Sequence, residues 1–336
     1  MKHIKHSNIP IFLPELACPH QCVFCNQEKI SGTLSIPKPE DVSKIVETHL
    51  SSMNEKRIVD IAFFGGSFTG IAIDLQEKYL NEAFKFVKNG NVSGIRISTR
   101  PDYIKQENLN FLKKYGVTTI ELGAQSTNNE VLNKSGRGHN FDAIKFASAL
   151  ILENGFQLGL QMMIGLPYDT LQRSLQTAND IVALGAQSTR IYPTVVIKDT
   201  ALEKFYNKGN YKPLSIEDAI LWTKELVKIF ETNNVKILRI GLHTSEELVD
   251  GKSLIAGPFH PSFKEMVMSK IWNEIIFKEI EEKKNNKITL TVNDKQLNFA
   301  IGFNGINKQE LLKKGIITKF IADSNFSKYQ FDVSYN

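Results

Sequence analysis

Cys18, Cys22 and Cys25 are the only cysteines in 336 residues, and they fall in one run, Cys-Pro-His-Gln-Cys-Val-Phe-Cys. Thiolates separated by three and then two residues can be turned by one irregular loop toward a single metal centre, as thiolate-bound iron–sulfur clusters require. A four-iron cluster takes four ligands, so without a fourth cysteine one iron stays open to a ligand from outside the protein. Two plainer readings stand beside this one. A zinc site prefers four protein ligands, and His20 would have to complete the set from inside the same loop. Buried structural thiols are the other, although such cysteines are ordinarily scattered along a chain. A disulfide framework makes no sense of three clustered cysteines, and thiolate ligands suit a reducing compartment.

The elements that must position this loop alternate regularly. Residues 9–14 form a short apolar strand leading into the cysteines, followed by helical apolar spacing at Val42, Ile45, Val46 and Leu50 over 40–52. The strand over 58–64 is almost continuously apolar, as a strand covered on both faces is. Helices over 74–87, 105–114, 141–153, 170–184 and 216–231 then alternate with strands over 94–99, 118–124, 156–164, 188–196 and 236–240. Successive βα units imply parallel strands with right-handed crossovers, in either an open doubly wound sheet or a barrel. Periodicity does not separate the two.

The pattern Cys-x3-Cys-x-Phe-Cys resembles the signature of the radical S-adenosylmethionine (SAM) superfamily, including the aromatic Phe24 before the last cysteine. The resemblance implies a [4Fe-4S] cluster on Cys18, Cys22 and Cys25, with SAM chelating the open iron. It implies a one-electron donor such as flavodoxin or ferredoxin and cleavage of SAM to methionine and a 5′-deoxyadenosyl radical that takes hydrogen from substrate. It also decides the architecture: an α/β partial (βα)6 TIM-type barrel over residues 1–245, with the cysteines on its first βα loop. Residues 246–336 form a helix and a small α/β extension. In barrels the active site lies at the C-terminal ends of the strands.

Polar residues leaving those strands are the candidates for SAM. Gly65 and Gly66 let backbone approach a ligand without Cβ interference, against the alternative of a plain tight turn. They match the family's Gly-Gly-Glu-like motif, whose backbone binds the SAM amino group, with Ser67 where many members have glutamate. Arg100 offers a bidentate fork to the SAM carboxylate, or else pairs with Asp102. Gln125 is placed for ribose or carboxylate, or caps a helix. Alternation points Gln161 inward beside Gly159 and Met163, toward adenine and ribose edges or a buried carbonyl. Tyr192 is the candidate catalytic residue, gating substrate or packing as a core aromatic. His260, between prolines, reads as a turn residue.

The blocks Phe63-Phe-Gly-Gly-Ser-Phe-Thr69, Ser98-Thr-Arg-Pro-Asp102, Glu121-Leu-Gly-Ala-Gln-Ser126, Gly165-Leu-Pro167 and Arg190-Ile-Tyr-Pro-Thr-Val-Val-Ile-Lys-Asp-Thr200 resemble one branch in particular. That branch is the radical SAM module of the Elongator catalytic subunit and its short bacterial relatives. Two departures stand out: fewer than a hundred residues follow the barrel, too few for an acetyltransferase domain, and Ser98 replaces a usual glutamate. The resemblance implies radical chemistry on RNA, with tRNA as the expected partner. A small-molecule enzyme of the coproporphyrinogen oxidase kind and a non-catalytic iron–sulfur module are the alternatives.

The extension reads as a helix over 263–283, strands over 288–292 and 297–301, Gly302-Phe-Asn-Gly305, a helix over 308–314 bearing Lys308, Lys313 and Lys314, and strands over 316–321 and 329–333. The Gly-x-x-Gly invites comparison with the loop by which KH modules clamp nucleic-acid backbone, but two helices flank that loop, whereas here a strand is expected before it. A net charge of +5 and a pI near 8.8 permit a polyanionic partner without demanding one. No run of about 18 apolar residues occurs and the first residues lack a signal-peptide core, so the expected location is cytoplasmic, with no membrane partner.

Overall fold

The computed structural model describes residues 5–13, 22–26, 29, 36–53, 57–280 and 286–335. Cys18 and His20 therefore lie outside the described residues. The main body runs β1 (Lys5–Leu13), α1 (Asp41–Ser51), β2 (Arg57–Gly65), α2 (Ile73–Lys88), β3 (Gly94–Thr99), α3 (Gln106–Lys114) and β4 (Val117–Gln125). It continues with α4 (Asn129–Lys134), α5 (Phe141–Glu153), β5 (Gln157–Ile164), α6 (Leu171–Ala183), β6 (Ser188–Pro193), β7 (Val196–Ile197), α7 (Ala201–Asn207), α8 (Ile216–Thr232) and β8 (Lys236–Ile240). Seven strands pair side by side in the order β1-β2-β3-β4-β5-β6-β8, all parallel: six βα units and a closing strand.

The sheet is curled. In a flat sheet β2 and β6 would lie about 19 Å apart, four strand spacings. Yet the Arg190 guanidinium of β6 stands 4.8 Å from the ring centre of Phe64 on β2. Phe12 on β1 and His243, just past β8, bring the two sheet ends within 6.2 Å, ring centre to ring centre. The outcome is an open half-barrel.

Period-2 alternation sorts the strands into two faces. Ile9, Ile11, Ile61, Phe63, Ile95, Ile97, Ile120, Leu122, Leu158, Leu160 and Ile191 face the helices and form one continuous core. The other face carries Asp60, Arg96, Ser98, Glu121, Gln161, Arg190 and Tyr192, so the barrel interior is polar. Helices α4, α5, α6, α7 and α8 start on Asn128, Asn140, Thr170, Thr200 and Ser215, whose side chains accept an N–H of the first turn.

The sixth strand ends at Pro193 rather than at 196. Residues 196–197 form the separate strand β7, which pairs antiparallel with β9 (Leu254–Ala256) beyond the short helix α9 (Glu246–Val249). The extension comprises α10 (Phe263–Ile280), β10 (Lys287–Val292), α11 (Leu297–Ile301), α12 (Ile306–Lys313), β11 (Ile317–Ala322) and β12 (Phe331–Tyr335). Its sheet has the order β11-β10-β12, with β11 parallel and β12 antiparallel to β10.

The segment 297–301 is thus a helix, not a strand. The Asn293 side chain accepts the Lys295 N–H and starts the turn, and the Asn307 amide donates to the carbonyls of Phe299, Ala300 and Ser269, locking the helix against α10. Gly302 and Gly305, both at positive φ, join α11 to α12, so two helices do flank the Gly-x-x-Gly turn. The first half of α10 (Phe263, Val267, Met268, Ile271) packs on the barrel core. Its second half (Trp272, Ile276, Ile280) packs on β10 and α11 in a core of its own.

Candidate active site

The described part of the cysteine loop is pinned at its backbone. The Cys25 N–H donates to the Cys22 carbonyl at 3.0 Å, making a tight turn. The Val23 N–H reaches the Ser135 carbonyl, between α4 and α5, at 3.1 Å, while the Val23 carbonyl accepts the Leu202 N–H of α7 at 2.7 Å. Phe24 is the apolar anchor, packed in a cluster with Val131, Leu166, Val196, Leu202 and Tyr211. An ion pair between Lys29 and Asp199 ties the same segments together farther out. Residues 196–211 therefore pack over the described part of the loop.

At the end of β2 the Gly65 φ of 108° is a backbone state that side chains resist, and the Gly66 N–H donates to the Leu13 carbonyl at 3.0 Å. That bond ties the exit of β2 to the exit of β1, where the cysteine loop begins. Ser67 is buried just beyond. Arg100 is also buried; its Nε and Nη2 meet both Asp102 oxygens at 2.9 and 3.0 Å, and Nη2 also donates to the Arg137 carbonyl. Its bidentate fork is directed at Asp102.

Gln125 ends β4 at a β-bulge, with φ at 67°, unusual for a residue other than glycine. Its Oε1 is buried and accepts no hydrogen bond among the described residues. A Cβ on Gly123 would stand 3.1 Å from Gln125 Nε2 and 3.3 Å from Arg137 Nη2, so the glycine leaves room for both. Arg137 escaped the sequence reading. It lies 6% exposed between α4 and α5, with Nη1 3.1 Å from Cys22 Sγ and Nη2 2.5 Å from the Gly123 carbonyl.

Deeper in the barrel, Glu121 organises the polar interior. Arg96 Nη1 lies 2.8 Å from its Oε1, and Arg190 donates to Oε2 at 2.6 Å and to Oε1 at 3.1 Å. Burial by itself would raise this carboxyl, but Arg190 and then Arg96 outweigh it and hold the group below its ordinary value. A Cβ on Gly159 would stand 2.9 Å from Glu121 Cγ, which is why the neighbouring strand carries glycine there. Gln161 points inward and donates weakly to Ser98 Oγ at 3.5 Å and to Glu121 Oε2 at 3.4 Å. Tyr192 lies on the same face, its hydroxyl kept protonated by burial.

His260 stands apart from this group. Its Nδ1 accepts the Ser262 N–H at 2.9 Å, and its ring meets Phe303 edge-on at 5.3 Å, within the extension. One end of the barrel thus gathers Cys22, Cys25, Gly65, Gly66, Gln125 and Arg137, above an interior of Gln161, Glu121, Arg190 and Tyr192. Buried cationic nitrogen beside a thiol, and a buried amide oxygen lacking a donor, are features that suit an anionic thiolate-bound cluster and a polar organic ligand.

Comparison with known proteins agrees with this geometry. A model of the radical SAM superfamily matches residues 16–181, and a model of the radical SAM C-terminal domain matches residues 186–273; together they cover well over half of the chain. An uncharacterized protein of Methanocaldococcus jannaschii is 30% identical over 59% of this chain and 64% of its own length. The tRNA uridine(34) acetyltransferase of Methanocaldococcus infernus is 28% identical over 48% of this chain and 34% of its own. The chain thus spans about a third to two thirds of these relatives. Among solved structures, archaeal Methanocaldococcus infernus Elp3 superposes with a TM-score of 0.66 at 19% identity, covering 83% of this chain and 64% of that one.

Proposed function

Because the chain belongs to the radical SAM superfamily, we propose that it is an enzyme that uses a [4Fe-4S] cluster on Cys18, Cys22 and Cys25 to cleave SAM and modify RNA, with tRNA as substrate. The observation that carries the reading is the gathering of cysteines, glycines and unsatisfied polar groups at one end of a half-barrel. Cluster and SAM, when bound, supply a 5′-deoxyadenosyl radical for hydrogen abstraction, the electron coming from a flavodoxin- or ferredoxin-type donor. Protein residues bind, orient and exclude water. Gly65 and Gly66 offer backbone to the SAM amino group, and Gln125 Oε1 offers an acceptor at the same mouth. Gln161 and Tyr192 are left to face substrate or nucleoside from within.

RNA as substrate is supported by the name of the archaeal acetyltransferase relative and the positive net charge. The exposed Lys308 and Lys313 on α12, beside a Gly-x-x-Gly turn that two helices flank, add to it. Among the described residues no helix is long and apolar enough to cross a membrane. The deciding experiment compares modified nucleosides in cells with and without the protein. A nucleoside missing from tRNA of the deletion strain is expected and would name the reaction. An unchanged profile, with 5′-deoxyadenosine still released in vitro, would assign the radical to a small-molecule substrate instead.

SAM binding makes a separate prediction. Gly66→Val adds a branched side chain where backbone is offered to the ligand, and SAM affinity should fall about tenfold or more, about 1.4 kcal/mol. Equilibrium dialysis on the folded, cluster-loaded variant checks this. Unchanged affinity would move the ligand away from the end of β2.

A further inference from the structure

The geometry points to Arg137 as the counter-charge of the iron–sulfur cluster, a positioning residue that sets how readily the cluster accepts its electron. This rests on the cluster reading above and adds to it a residue outside the cysteine motif.

A guanidinium cannot shed its proton in a protein, and a buried one must be paired. Arg137 is 6% exposed, yet its hydrogen bonds among the described residues are to the Gly123 carbonyl and to Cys22 Sγ. Its Nε is buried and has no acceptor among the described residues. The neighbouring Arg100 has Asp102 as its carboxylate; Arg137 has none among the described residues. Among the described residues, the group hydrogen-bonded to it that is able to carry negative charge is the Cys22 sulfur, 3.1 Å from Nη1. Gly123, lacking Cβ, opens the space through which the guanidinium reaches that sulfur, and the Arg137 carbonyl is itself held by Arg100. The site is built around a cation with a place for an anion, and no described carboxylate fills it.

Reduction adds one electron to the cluster without making or breaking a bond in the protein, and the guanidinium keeps its proton. A fixed positive charge and a hydrogen bond to a ligating sulfur favour the reduced, more negative state, since charge and hydrogen bonds at the sulfurs set the potential. Removing the charge should therefore make reduction harder.

The test compares wild type, Arg137→Gln and Arg137→Lys, reconstituted anaerobically and titrated with dithionite under electron paramagnetic resonance. In Arg137→Gln the ratio of reduced to oxidised cluster at a fixed potential should fall about tenfold, about 59 mV for one electron. Arg137→Lys, which keeps the charge, should recover most of the loss. Unchanged potential in the loaded Gln variant, or a Lys variant displaced as far as Gln, overturns the assignment.

A second readout covers poor loading. Metal-free Arg137→Gln should melt at or above the wild-type temperature, because it removes an unpaired buried charge, and it should gain less from cluster assembly than wild type does. A metal-free variant that fails to fold would show that Arg137 serves the scaffold, and this too overturns the proposal. Absence of iron from reconstituted wild type would instead refute the cluster reading itself.

Discussion

Alanine at Cys22 is expected to abolish cluster assembly while leaving the metal-free fold intact. Anaerobic reconstitution of the wild type should give about four irons per chain and broad visible absorption; Cys22→Ala should retain almost none of either. The same holds for Cys25→Ala and for Cys18→Ala. The fold should survive because the described part of the loop is held mainly by its backbone and by Phe24, with the Arg137 contact to Cys22 as the hydrogen bond to sulfur that is lost. The Val23 N–H and carbonyl keep Ser135 and Leu202 as partners, and although Cys22 belongs to the Phe24 cluster, Val131, Leu166, Val196, Leu202 and Tyr211 remain to hold it. Iron and sulfide analysis beside melting curves separates the two effects. Stoichiometric zinc in a colourless wild-type protein would sink the cluster reading in favour of a zinc site.

Glu121→Ala should be the most destabilising single change in the barrel interior. The carboxylate is 1% exposed and serves two arginines, themselves buried, through three charge-assisted contacts at 2.6, 2.8 and 3.1 Å. Removing one member of a buried ionic group costs about 3–5 kcal/mol, because the remaining charges stay behind unpaired. Among the described residues Arg96 would keep Asp60, 3.8 Å away, and Arg190 would keep the face of Phe64. The sign of the pH dependence follows from the arginines holding this buried carboxyl below its ordinary value in the folded state. A depressed carboxyl contributes stability that is complete above the unfolded value and fades as pH falls through the folded one. Wild type and variant should therefore converge in urea midpoint as the pH falls below the ordinary carboxylate range. A loss under about 1 kcal/mol at neutral pH would mean that the arginines find other partners.

Local pattern carried the main body a long way. Apolar runs and period-3.6 spacing located the seven strands and the long helices to within a few residues, because strands covered on both faces and helices that bury one face leave different traces. The segment Leu297-Asn-Phe-Ala-Ile301 defeated the same logic, since five residues fit either period, and its helix is decided by the distant Asn307 amide and by α10. The short helices α4 and α7 have too few turns to show a period, yet they hold the cysteine loop. Arg137 was illegible for a different reason. It follows Cys22 by 115 positions, in a loop of small and polar residues, and meets it only after β4 and α4 have been laid down. In the sequence Glu121 is legible only as the first residue of a block, with no role, and its partners come from two other strands. Charge alone could not say whether it faced a ligand or, as it does, two arginines.

The helix α10 lends its first half to one core and its second half to another, and this bears on how the chain is made. Synthesis delivers the barrel strands first, and domains begin to fold as they emerge. When α10 leaves the ribosome, Phe263, Val267 and Met268 can settle at once on a finished barrel. Trp272, Ile276 and Ile280 have nothing to settle on until β10 and α11 arrive, and the sheet that covers them closes only with β12 at Tyr335. Until those segments arrive the nascent chain carries an exposed stripe of large apolar side chains, the kind of surface that chaperones bind and that aggregates when they do not.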